Sequence, residues 1–178
     1  MMKVFMAILL LSVSVPLTAQ KYKSDQSTVT FFSDAAIEDI AATNKKASSI
    51  FDASKGDIAF LITIMDFQFE KSLMQEHFNE KYMESDKFPK ATFRGKVVGF
   101  DNNKEGVQDV TANGTLTIHG QAKQIDVSGT LEKQGSLLML KTVFVVELED
   151  FKIQIPKLLW QNIAERVEVK VDFTYKML

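Results

Sequence analysis

The final stretch of the chain constrains the fold most tightly. Val167, Val169, Val171, Phe173 and Tyr175 alternate with Arg166, Glu168, Lys170, Asp172 and Thr174. Side chains of an extended chain point to opposite faces in turn, so this period of two predicts a strand over 165–175 with one dry and one wet face. The pattern recurs upstream. Ile125, Val127 and Leu131 alternate with Asp126, Ser128 and Thr130. Val110, Ala112, Gly114, Leu116 and Ile118 alternate with Thr111, Asn113, Thr115, Thr117 and His119. Stretches 137–148 and 57–66 alternate too, with a second face that is partly apolar, and 27–33, 46–52 and 91–100 are shorter strand candidates. Turn signals separate them at Lys55-Gly56-Asp57, Asp101-Asn102-Asn103, His119-Gly120 and Gln134-Gly135-Ser136. The last of these predicts an antiparallel hairpin.

Long helical periods between the strands are missing, which excludes a parallel α/β sheet. One helix is expected from Ser72 to about Lys81. Ser72 and Gln75 there have capping-box spacing, and Met74 and Phe78 share a face. A second short turn is expected from Pro156, carrying Leu158, Leu159 and Trp160. The expected fold class is therefore all-β with one or two short helices: an antiparallel β-barrel of about eight strands, closed because closure removes exposed edges. A barrel of that size is either filled by side chains or holds one small ligand. The stretch Val107–His119 would extend roughly 43 Å at about 3.3 Å per residue, so the barrel is tall and an elongated apolar ligand suits it.

Composition removes several function classes. Lys and Arg number 21 against 23 Asp and Glu, a net charge of −2, without the basic surplus that a nucleic-acid binder uses against phosphates. There is no cysteine, hence no disulfide, thiol nucleophile, cysteine zinc site or iron–sulfur cluster. The N-terminus (MMKVFMAILLLSVSVPLTA, 1–19) has Lys3, then a 12-residue apolar run from Val4 to Val15, then Pro16 and Ala19. That is the pattern of a cleavable secretory signal peptide, and the run is short for a membrane span. Two segments are expected: the signal peptide at 1–19, and one domain at 20–178 that is periplasmic or secreted.

Several motifs then fall in a distinctive order. They are Leu73-Met74-Gln75-Glu76-His77-Phe78-Asn79-Glu80, then Phe88-Pro89-Lys90-Ala91-Thr92-Phe93-Arg94-Gly95, then Gly114-Thr115-Leu116-Thr117-Ile118-His119-Gly120, then Phe151-Lys152-Ile153 with Ile155-Pro156. In this order the chain resembles the YceI-like family of bacterial polyisoprenoid-binding proteins. The resemblance covers nearly all of the chain after the signal peptide. It implies a lipocalin-like barrel, exported from the cytoplasm, with a long apolar tunnel for an isoprenoid quinone, a polyprenyl chain or a similar amphiphile. The stretch Asp34-Ala35-Ala36-Ile37-Glu38-Asp39-Ile40 departs from the family's usual glycine- or histidine-bearing segment.

The expected tunnel lining is Phe60, Ile62, Ile64, Leu73, Met74, Phe78, Phe93, Leu116, Ile118, Ile125, Val127, Phe144, Val146 and Trp160. Candidate polar contacts are His77, Asn79, Arg94 and His119. No catalytic residue, metal site or cofactor is expected beyond the bound lipid. His77 and His119 lack metal-ligand spacing, although Glu76 or Glu80 lies near in sequence, and no Gly-x-Ser-x-Gly elbow supports a triad. The acidic run Glu147–Asp150 lacks EF-hand spacing and reads as a solvated strand end, and the Asn113-Gly114-Thr115 sequon lies within a predicted strand. The expected partner is a long-chain lipid, with transient membrane contact and no integral membrane span, and with monomer or homodimer left open. Two rivals stand beside this reading: an enzyme acting on an isoprenoid, and a filled barrel working through its surface as a stress or inhibitor protein.

Overall fold

The computed structural model describes residues 20–34, 39–155 and 164–178. The expected signal peptide at 1–19, the turn expected at Pro156 and Trp160 lie outside the described residues. Among the described residues there are ten strands: β1 Lys21–Ser33, β2 Ile40–Asn44, β3 Ser48–Asp52, β4 Asp57–Thr63, β5 Gln68–Phe69, β6 Lys90–Val98, β7 Gly106–Ile118, β8 Gln121–Gln134, β9 Leu137–Glu147 and β10 Arg166–Met177. All neighbours run antiparallel. Eight strands close a ring in the order β1, β3, β4, β6, β7, β8, β9, β10, with β10 returning to β1 over Tyr22–Phe32. The fold is the expected closed antiparallel barrel with one short helix.

The two additional strands come from a division of β1. Its first residues, Lys21–Lys23, pair with β3, and its last, Val29–Ser33, pair with β2, onto which β5 is added. The alternation in β1 is hard to read over 21–26 because a bulge between Ser24 and Gln26 resets the period there. β2 and β5 are too short to carry a period at all. The strand expected to run to 66 stops at Thr63, where the Ile64 amide donates to Pro89 O at 2.9 Å and the chain turns.

The helix α1 spans Ser72–His77, but its cap is not the one expected. Lys71 occupies the N-cap position, and no side chain caps the first turn. Ser72 already lies inside the helix, so its hydroxyl is out of place for the capping box. After α1 the chain continues in a wider turn over Phe78–Tyr82, closed by the Met83 amide on Phe78 O at 2.8 Å, five residues back.

The two ends of the barrel are built differently. At the end holding the β8–β9 hairpin, Tyr22, Phe51, Leu131, Leu138 and Tyr175 are fully buried and fill the interior. The Tyr175 and Ser49 hydroxyls bond there at 2.7 Å, and the Tyr22 hydroxyl donates to Asn102 Oδ1 at 3.3 Å. Burial pushes both phenols above their ordinary range. The opposite end, beside α1, is hollow.

Candidate functional site

The hollow end encloses a cavity of about 460 Å³, within the roughly 300–1,000 Å³ typical of small-molecule sites. A second cavity of about 80 Å³ lies deeper in the barrel, toward the filled end. The two share Ile62, Ala91, Leu116, Phe144 and Val169 in their walls, so together they run along the barrel axis.

Strand alternation places most of the expected lining. Ile62, Ile64, Leu116, Ile118, Phe144 and Val146 face the main cavity from the barrel wall, and Leu73, Met74 and Phe78 face it from α1 and the turn that follows. Phe60, Phe93, Ile125 and Val127 line the deeper cavity. Among the residues of the main wall that the expected lining left out are Val29, Phe31 and Ser33 of β1, Phe67 and Phe69 around β5, and Tyr82 and Met83. The signal for the β1 residues was present in 27–33, whereas Phe67 and Phe69 sit in elements without a readable period.

The wide turn after α1 decides which side chains reach the cavity. Leu73, Met74, His77 and Phe78 form a stripe, and an ordinary α-helix would carry that stripe on to Lys81 and Tyr82. The extra residue shifts the register by one, so Tyr82 and Met83 take those places and Lys81 is exposed. An ammonium group is thereby kept off an apolar wall, where its burial would be costly. Phe78 anchors the turn against the barrel. Its ring stacks on Phe31 at 5.3 Å and meets Phe67 at 5.7 Å and Phe69 at 5.0 Å. Such rings bury large apolar areas and gain further from edge and offset-stacked contacts.

Of the four candidate polar contacts, His77 alone lines a cavity. Arg94 alternates with the buried Phe93 on β6 and is exposed on the outer face, so it is corrected to a surface residue. Asn79 is spent within its own turn: its amide donates to Gln75 O at 2.9 Å, and its carbonyl oxygen accepts from Ser85 Oγ at 3.0 Å. His119 is buried at the β7–β8 turn with φ of 49°. Its Nδ1 lies 3.1 Å from Phe151 O and its Nε2 3.3 Å from Glu84 Oε2, and its ring packs edge-on to Phe88 at 4.4 Å. His119 therefore ties three loops together rather than facing the cavity. Lys87, and then His119, hold the Glu84 carboxyl below the usual carboxylate range.

The polar groups on the main wall are thus Ser33, His77 and Tyr82. They gather at one end, because Phe31, two residues from Ser33 on the same face of β1, stacks on Phe78, which adjoins His77 and shares a turn with Tyr82. The Ser33 hydroxyl accepts the Ala164 amide at 2.9 Å and keeps its own proton to donate. Burial raises the Tyr82 phenol, which keeps it a hydrogen-bond donor at neutral pH. Neither the His77 imidazole nor the Tyr82 phenol hydrogen-bonds to another of the described residues. No three His, Asp or Glu side chains converge among the described residues, and in the acidic run Glu147 pairs with Arg166 at 2.9 Å while Asp150 pairs with Lys123.

Comparison with solved structures finds this architecture repeatedly. BcnA of Burkholderia cenocepacia superposes with a TM-score of 0.70 at 20% identity, over 83% of this chain and 95% of that one. A polyisoprenoid-binding domain from Saccharophagus degradans, implicated in plant cell wall breakdown, gives 0.74 at 15% identity over 88% and 98%. The YceI protein of Campylobacter jejuni gives 0.58 at 16% identity over 99% and 93%. No curated protein matches the chain. Residues 21–175 match the YceI-like domain. With that match spanning the whole barrel, the chain belongs to the YceI-like family.

Proposed function

We propose that this protein is exported and carries a long-chain isoprenoid or similar amphiphile within its barrel, for transport, storage or sequestration. The observation that carries the reading is the cavity of about 460 Å³ walled by Leu, Ile, Val, Met and Phe, a volume that a filled barrel working through its surface would not keep. Each methylene moved from water into such a space contributes about 0.8 kcal/mol. The tail lies along the axis toward Phe60 and Val127, and the head sits beside Ser33, His77 and Tyr82. A hydroxyl, an imidazole and a phenol suit an uncharged, oxygen-bearing head such as an alcohol or a quinone. The Saccharophagus degradans relative, described as polyisoprenoid-binding, supports the ligand class.

Native mass spectrometry of the protein purified from its own cells tests the reading. An isoprenoid-type mass retained on the barrel is expected, and the emptied protein should take up retinol, an isoprenoid alcohol whose fluorescence rises on leaving water. A protein that carries no lipid and takes up no retinol overturns the reading. Export has its own check: the mature protein should begin at or near Gln20, and one that starts at Met1 and stays in the inner membrane overturns that part.

A further inference from the structure

We infer that the ligand's chain passes through a slit in the barrel wall between β8 and β9, a route that rests on the carrier reading above. β8 and β9 pair from the hairpin only as far as Gly129 and Thr142. Beyond that fork both continue as strands, β8 paired with β7 back to Gln121 and β9 paired with β10 out to Glu147. Residues 121–128 and 143–147 therefore face each other across the wall without a ladder between them. Apart from Ser128 O, their facing amides and carbonyls have no sheet partner on this side.

The slit has defined ends. At the fork, the Thr142 hydroxyl donates to Ser128 O at 2.6 Å. Gly129 is needed there, since a Cβ on it would come within 2.6 Å of Lys141 O. At the far end, Lys123 forms an ion pair with Asp150 across the gap. That pair joins two exposed side chains, which makes it a weak closure.

The slit opens onto the cavities. At the fork, Gly129, Lys141 and Thr142 line the deeper cavity. Ile125, Val127 and Phe144 give the inner lips an apolar lining. The outer lip is apolar on the β9 side: Val143 and Val145 are 52% and 47% exposed on a face where barrel strands usually carry charge. A hydrocarbon chain moving sideways through the wall would meet apolar side chains on both inner lips and on the β9 outer lip, with Gln124 and Asp126 on the β8 outer lip. Beside α1, by contrast, Phe31, Phe67, Phe69 and Phe78 interlock with centroids 5.0–5.7 Å apart.

The chain has no cysteine, so a clean cross-link tests the route. The double variant Asp126→Cys/Val145→Cys places one thiol on each outer lip, to be joined by a short bismaleimide. A passage controls rates and not equilibrium. Bridging should slow retinol uptake and release together, by roughly tenfold or more, and leave Kd unchanged. The unbridged variant should behave as wild type. Amide hydrogen exchange on the lipid-free wild type gives a second reading that needs no variant: every second amide over 122–128 and 143–147 should exchange quickly while its neighbours, bonded to β7 or β10, stay protected. Unchanged retinol rates in the bridged protein, or uniform protection of both segments, overturn the slit. A wild type that takes up no retinol overturns it too, together with the carrier reading, and is distinguished by failing before any bridge is made.

Discussion

Gly95 and Gly114 sit opposite each other where β6 and β7 cross closely. A Cβ on Gly114 would lie 2.4 Å from Arg94 O and 2.8 Å from Phe93 Cζ, so the glycine of the Gly114-Thr115-Leu116 motif exists to let two backbones meet. Gly114→Ala should cost about 1–3 kcal/mol in denaturant unfolding, as overpacking does, with the fold retained. At the filled end, Tyr175→Phe leaves the buried Ser49 hydroxyl without its 2.7 Å partner and should cost about 1–3 kcal/mol, read as a lowered denaturant midpoint. Glu84 offers a test by pH. Its carboxyl is depressed, chiefly by Lys87 and further by His119, so its stabilising contribution is complete above the unfolded value near 4.3 and is lost as pH falls through the folded value. The stability gap between wild type and Glu84→Gln should therefore shrink once pH drops below about 4.

Among the elements, α1 with its wide turn does the most to shape the site. Because the turn closes from Phe78 to Met83, Tyr82 and Met83 take the last places on the cavity stripe in place of Lys81 and Tyr82, and the Tyr82 phenol has no partner among the described residues. Tyr82→Phe should leave melting nearly unchanged and weaken retinol binding by about 0.5–1.5 kcal/mol, the net worth of one hydrogen bond. Equal affinity in titration would show that the head lies elsewhere. The strands around this turn divide the wall by alternation. Arg94 points out because Phe93 points in, and no property of the arginine itself enters that choice.

The whole molecule is a barrel filled at one end and hollow at the other, and the two halves should answer mutation oppositely. Leu116 lies in the wall of both cavities, so Leu116→Trp should fill open space: retinol capacity falls while melting barely moves. Leu131 is fully buried at the filled end, where Leu131→Ala should cost about 2–5 kcal/mol through the void it creates and leave the binding residues in place. Melting and retinol uptake measured on both variants check the division. A large loss of stability in Leu116→Trp would mean that the upper half is packed solid.

By itself the sequence determined the strands and their faces. The alternation of Val167 through Tyr175 and of Val110 through Ile118 is legible because one buried face requires it, and with the faces came most of the cavity wall. Only the tertiary structure decided whether that wall encloses space. Emptiness is the difference between the volume a barrel encloses and the volume its inward side chains fill, and period two records neither. Tertiary structure also decided the roles of isolated polar residues. His119 was spent on Phe151 O and Glu84, both distant in sequence, and Asn79 was spent within its turn, while Ser33 and Tyr82 came to the cavity. The fork at Gly129 and Thr142 had no local signal either. β8 and β9 alternate without interruption on both sides of it, since a strand's side-chain pattern follows from which face is buried, and the pairing of its edge is set by where the neighbouring strand comes to lie.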